Sequence, residues 1–122
     1  MTKRIMVVED NDLNRKLFCD VLNANGFEAV PVADGELVLE TARRHTPDLI
    51  IMDIQLQGVS GVDLIEAAKG DARLEAIPVL AVTAFAAKGD EERIRAAGAS
   101  GYLAKPVSIT PFLSAVKGLL PG

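Results

Sequence analysis

Residues 47–61 read PDLIIMDIQLQGVSG, and the apolar run Leu49-Ile50-Ile51-Met52 ends on Asp53. A run of strand length that is apolar at successive positions has both faces buried, as in a parallel sheet covered by helices on either side. The pattern returns in Ile5-Met6-Val7-Val8 and in Val79-Leu80-Ala81-Val82. Weaker runs at residues 27–32 and 101–104 bring the expected strands to five.

Helical patterns fill the gaps. Leu13, Leu17, Val21 and Leu22 share a stripe that Gly26 stops. Residues 35–45 carry Leu37, Val38 and Ala42 and end before Pro47. Ser60 is placed to cap a helix running through Leu64 and Ala68. Asp90, Glu91 and Glu92 put acids at the positive end of a helix that Gly98 closes. Ser108 is placed to cap the last helix, with Pro111 in its first turn and Phe112, Val116, Leu119 and Leu120 as its apolar stripe. The sequence therefore predicts (βα) five times. Right-handed crossovers then put helices on both faces of one doubly wound parallel sheet.

With 122 residues, the chain has the length of one domain at roughly 100–200 residues each. The expectation is a single unit over residues 1–122, starting at its first strand and ending with its last helix. Hydrophobic residues at 49% and charged residues at 25% fit a packed core and exclude a disordered chain. A net charge of −4 and 4% aromatics, with no Trp, argue against a base-stacking nucleic-acid surface. Cys19 is the only cysteine, so no intrachain disulfide forms; it reads as a small packed side chain. His45, before Pro47, reads as a complement to a helix C-terminus. The apolar run after Lys3 and Arg4 is cut by Glu9 and Asp10, too early for a signal peptide, and no stretch reaches the roughly 20 residues of a membrane span. A cytoplasmic location is the expectation.

The polar residues gather at one end of the strands. The first strand runs into Glu9-Asp10, the third into Asp53, the fourth into Thr83 and the fifth into Lys105-Pro106. In open α/β sheets, ligands bind outside the carboxyl ends of the strands, where the strand order reverses. With the order 2-1-3-4-5, strands one and three meet at that point and crowd Glu9, Asp10 and Asp53 together. Taken singly, each acid at a strand end reads as a helix cap or a solvated turn. Four strand ends delivering such residues to one edge argue for a site. Three carboxylates against one ammonium leave net negative charge, which a hard divalent cation held by oxygens neutralises. Mg²⁺ is the expected ion, with Mn²⁺ the alternative. A carboxylate beside such a cation, a hydroxyl and an ammonium suits phosphoryl transfer through an acyl phosphate.

The stretches VVEDNDLNRKLF (7–18), PDLIIMDIQLQGVSG (47–61) and IPVLAVTAFAAKGDEERIRAAGASGYLAKPVS (77–108) together resemble the receiver domains of two-component response regulators, a flavodoxin-like fold. The resemblance covers essentially the whole chain. It implies that Asp53 is the phosphoacceptor. It implies that Asp10, Asp53 and the backbone carbonyl of Gln55 bind Mg²⁺, with Glu9 acting through water. It implies that Thr83 and Lys105 contact the phosphoryl group, that Ala84 is small to keep the site open, and that Tyr102 is the switch aromatic. The implied partners are a sensor histidine kinase or phosphatase and a downstream protein that reads helix four, strand five and helix five around Tyr102, Ala97 and Phe112. Gln55 and Phe85 occupy positions that flank the phosphoryl group, where Phe85 is expected to shield it from water. The chain departs from the family at Gln57, where receivers usually carry Pro; a less restrained loop is expected before Gly61. Residues 53–61 and 83–98 are more similar to single-domain regulators of bacterial cell division than to chemotaxis regulators.

A flavin binder on the same fold needs a Ser/Thr/Gly phosphate loop after strand one, where Glu9-Asp10-Asn11 would repel a phosphate. No Walker A loop or GxGxxG turn is present. A phosphorylation-independent adaptor would not need the full acidic set. A receiver detached from a hybrid histidine kinase is the alternative within the family, and Met1 just before the first strand favours a stand-alone chain. The expected role is therefore a phosphoacceptor in signalling, promoting only its own phosphotransfer and dephosphorylation.

Overall fold

The computed structural model describes residues 2–84 and 89–120. In chain order these form β1 (Arg4–Val8), α1 (Asp12–Ala24), β2 (Glu28–Val32), a 3-10 turn (Gly35–Leu37), α2 (Val38–His45), β3 (Leu49–Asp53), α3 (Gly61–Lys69), β4 (Val79–Thr83), α4 (Asp90–Ala97), β5 (Gly101–Ala104) and α5 (Ile109–Leu119). The strands make one parallel sheet in the order β2-β1-β3-β4-β5. The α/β class, the five repeats and the strand order are those the sequence predicts.

Successive strand residues serve opposite faces. Met6, Val8, Ile50, Met52, Val79 and Ala81 pack with Val38 and Ala42 of α2, Leu64 and Ile65 of α3 and Ile94 of α4. Ile5, Val7, Leu49, Ile51, Leu80 and Val82 pack with Phe18 and Leu22 of α1 and Phe112 and Val116 of α5. This period-two division is why the strand sequences are apolar at every position. On the second face the Phe18 and Phe112 rings stack at 4.9 Å with 16° between their planes.

Several local features differ from expectation. The apolar stripe of α1 is turned: Phe18 and Leu22 are buried, while Leu13 and Leu17 are 76% and 47% exposed. Phe112 is buried under the sheet and does not belong to a partner face. The segment 35–45 opens with a 3-10 turn, because the Asp34 carboxylate caps Glu36 N–H and starts the tighter winding. Ser60 and Ser108 hold extended cap positions, but neither side chain makes a cap hydrogen bond. Asn11, in contrast, caps α1 through Asn14 N–H at 2.9 Å. Gly98 follows α4 as expected. His45 ends α2, and its carbonyl accepts from the Arg4 guanidinium at 2.7 Å. Cys19 is half-buried against the second core face, and burial pushes its thiol pKa up, away from thiolate chemistry.

Candidate functional site

Register places the site. Val8 pairs with Met52 and Asp53 with Val82, so Glu9 and Asp53 leave neighbouring strands at one level. Thr83 pairs with Ala104, which puts Lys105 just beyond it. Carboxylate oxygens of Glu9, Asp10 and Asp53 lie within 4.8 Å of one another. Glu9, Asp53 and Thr83 are buried, and Asp10 is half-buried at the rim.

The Lys105 ammonium ties the cluster together, donating to Glu9 Oε1 at 2.8 Å and to Asp53 Oδ2 at 3.4 Å. Asp53 Oδ1 accepts from Gln55 N–H at 3.0 Å. Asp10 Oδ2 accepts from Gln57 N–H at 2.9 Å. The Gln55 carboxamide spans to the next strand, donating from Nε2 to Thr83 Oγ1 and accepting from Ala84 N–H, both at 3.0 Å. Gly61 lies so close behind that a Cβ there would sit 2.7 Å from the Asp53 carbonyl oxygen and 2.6 Å from Ile54 Cα. No side chain fits there without moving the backbone that carries Asp53.

The electrostatics are those of crowded acids. An ammonium at 2.8 Å by itself lowers a carboxyl pKa, yet Glu9 is raised to about 7, because burial and the hydrogen bond and charge of Asp53 outweigh Lys105. Burial also works against the Lys105 ammonium, but Glu9 and Asp53 hold its pKa above the ordinary value. Oxygen-only donors, surplus negative charge and a buried carboxyl forced toward its neutral form suit a hard divalent cation. The three acids could hold such an ion.

A pH dependence follows. Between pH 4.5 and about 7, folded Glu9 keeps a proton that the unfolded chain has lost. Stability in a chelating buffer therefore falls as pH rises through that window, by on the order of 3 kcal/mol from Glu9 at most. Glu9→Gln should flatten the decline in urea melts at pH 5 and pH 8. An equally steep decline in that variant would place its source elsewhere.

The structure thus brings Glu9, Asp10, Asp53, Gln55, Thr83 and Lys105 together. Tyr102 stands apart, half-buried on the face of the sheet that carries α4. It pairs with Ala81, two residues before Thr83 on the same face. Phe85 lies outside the described residues. The loop 54–60 is tied down rather than loose: Gln57 N–H reaches Asp10, Gln55 bridges Ser60, and Gly61 N–H donates to the Ile54 carbonyl at 3.2 Å. Gly58, at φ +78°, makes the turn that this closure needs. A proline at 57 has no N–H, so Gln57→Pro should lose the bond to Asp10 and about 1 kcal/mol of metal-free stability. An unchanged urea midpoint would show that this bond contributes nothing.

A sheet of this order with acids from β1 and β3 and a lysine after β5 defines a signalling receiver domain. The chain belongs to the response regulator receiver family, whose sequence profile matches residues 5–117. It is 52% identical over 120 residues to the polar-differentiation response regulator DivK of Brucella ovis, covering 98% of both chains. DivK of Brucella anthropi is 51% identical over the same span. Among solved structures, the chemotaxis protein CheY4 of Vibrio cholerae superposes with a TM-score of 0.93 at 24% identity, covering 98% of this chain and 100% of that one. The receiver domain of sensor histidine kinase PA1611 from Pseudomonas aeruginosa, solved with magnesium in its active-site cleft, gives 0.89 at 29% identity and covers 98% of both chains.

Proposed function

We propose that this response regulator acts as a stand-alone phosphoacceptor over residues 1–122, taking a phosphoryl group onto Asp53 from a histidine kinase or phosphotransferase and then changing its protein partners. The convergence of Glu9, Asp10, Asp53, Thr83 and Lys105 at one sheet edge carries the reading. The likeness to DivK supports a role in cell division or polarity, in the cytoplasm; no described helix is long and apolar enough to cross a membrane.

The Asp53 carboxylate attacks phosphorus of a phosphohistidine. The P–N bond breaks, the electron pair stays on the imidazole nitrogen, and Asp53 becomes an acyl phosphate. Lys105 faces the charge on the phosphoryl oxygens, and the Thr83 hydroxyl donates to one of them. Asp10, Asp53 and the Gln55 carbonyl would hold Mg²⁺, with Glu9 acting through water, and the ion would neutralise phosphoryl charge. The domain promotes only its own phosphotransfer and dephosphorylation.

The donor docks beside Lys105, where Asn14, Leu17, Ala84, Pro106 and Val107 border a cavity of about 400 Å³. Exposed Ile109 lines an adjoining pocket with Leu17 and Val107. The effector reads the α4–β5–α5 face, where Tyr102 lines a groove of about 340 Å³ with Arg95, Gly101 and Leu119. Thr83 and Tyr102 share a face of the sheet, Tyr102 pairing with Ala81 two residues before Thr83, so a shift of Thr83 is transmitted to the ring along that face.

Incubation with acetyl phosphate and Mg²⁺, followed by intact mass, tests the reading. One added phosphoryl that is absent with chelator is expected. No gain with Mg²⁺ present would overturn it.

A further inference from the structure

We propose that the Gln55 side chain is a latch that stands in the place of the phosphoryl group and must be displaced when Asp53 is phosphorylated; this rests on the function proposed above. Gln55 follows Asp53 by two residues, and its carboxamide crosses from the β3 edge to the β4 edge. Its Oε1 takes the Ala84 N–H, and its Nε2 donates to Thr83 Oγ1, each at 3.0 Å. Ala84 follows the last residue of β4, so its N–H faces the site edge instead of the ladder. An oxygen of a phosphoryl group on Asp53, hemmed in by Lys105 on one side, meets this N–H and the Thr83 hydroxyl on the other. The carboxamide oxygen makes with Ala84 the bond that such an oxygen would make, and the carboxamide nitrogen, donating to Thr83 Oγ1, holds the side chain across that place. Phosphorylation therefore breaks both bonds together.

The released side chain has somewhere to go. A cavity of about 340 Å³ adjoins Gln55 and Thr83, bounded further by Ser60, Val62, Asp90 and Arg93. Gln55 entering it would touch the start of α4, where the proposed partner surface begins. Gln55 is thus a positioning residue, acting through Thr83 and Ala84, and its backbone carbonyl is unaffected by changing its side chain.

The test compares the parent with Gln55→Met, which keeps the bulk and loses both bonds. Gln55→Glu, whose carboxylate accepts from Ala84 N–H and from the Thr83 hydroxyl, serves as the conservative variant. Phosphoryl uptake from acetyl phosphate with Mg²⁺ is followed by intact mass, and the Ala84 amide by ¹H–¹⁵N NMR before any phosphodonor is added. Gln55→Met should move the Ala84 amide proton upfield and take up label about three- to tenfold faster, the gain from not breaking roughly one net hydrogen bond. Gln55→Glu should leave that amide near its parent position and label no faster than the parent. If the parent labels but Gln55→Met labels no faster, or leaves the Ala84 amide unmoved, the latch is overturned and the phosphoacceptor reading stands. A parent that takes no label overturns both.

Discussion

Asp53→Asn is expected to take up no phosphoryl group while keeping its fold. The carboxamide has almost the shape of the carboxylate, and its oxygen can still accept the Gln55 N–H that holds Asp53 Oδ1 at 3.0 Å. It has no anionic oxygen to attack phosphorus, so no acyl phosphate forms. The variant also removes a charge from the cluster. Asp53 is one of the groups that raise the Glu9 pKa, so the pH-dependent loss of stability attached to Glu9 should shrink. A variant that folds, as judged by circular dichroism, and still labels like the parent would take the phosphoacceptor role away from Asp53.

Lys105→Met is expected to be costly for stability, and unequally so across pH. The ammonium donates to both Glu9 and Asp53, and its side chain is mostly buried. Removing one partner of a buried pair costs about 3–5 kcal/mol when the other stays charged. Without metal at pH 8, above the parent Glu9 pKa of about 7, the buried Glu9 carboxylate loses its cation or must take up a proton, and the larger loss is expected. At pH 5 folded Glu9 is protonated and the loss should be much smaller. Urea titrations at the two values measure the difference. Equal losses at both would mean that Lys105 does not act through Glu9.

The frame was legible because it rests on composition at fixed spacing. Consecutive apolar residues in β1, β3 and β4 could be satisfied only by a sheet buried on both faces; the acids and Thr83 mark where those strands stop, and Lys105 marks the end of β5. The face of α1 was less legible. Its apolar residues at 13, 17, 18, 21 and 22 cover more than one side, and only the stack of Phe18 on Phe112 decides that Leu13 and Leu17 point outward. The loop after β3 was hidden for another reason. Its order comes from the backbone N–H of Gln57, a donor that nearly every residue type supplies, and from where that donor lands. The bonds of the Gln55 side chain to Thr83 and Ala84 depend on β3–β4 register, which strand patterns leave open. Position 55 nevertheless lies two residues after Asp53, and a side chain with both a donor and an acceptor there was the available signal.

The most direct test is to locate the modified atom. The protein is phosphorylated with acetyl phosphate and Mg²⁺, reduced with borohydride, digested and sequenced by tandem mass spectrometry. Reduction converts an aspartyl phosphate to homoserine, and the account predicts homoserine at residue 53 and nowhere else. Reduction products at Glu9 or Asp10, or none in a sample that carries the phosphoryl mass, would contradict it.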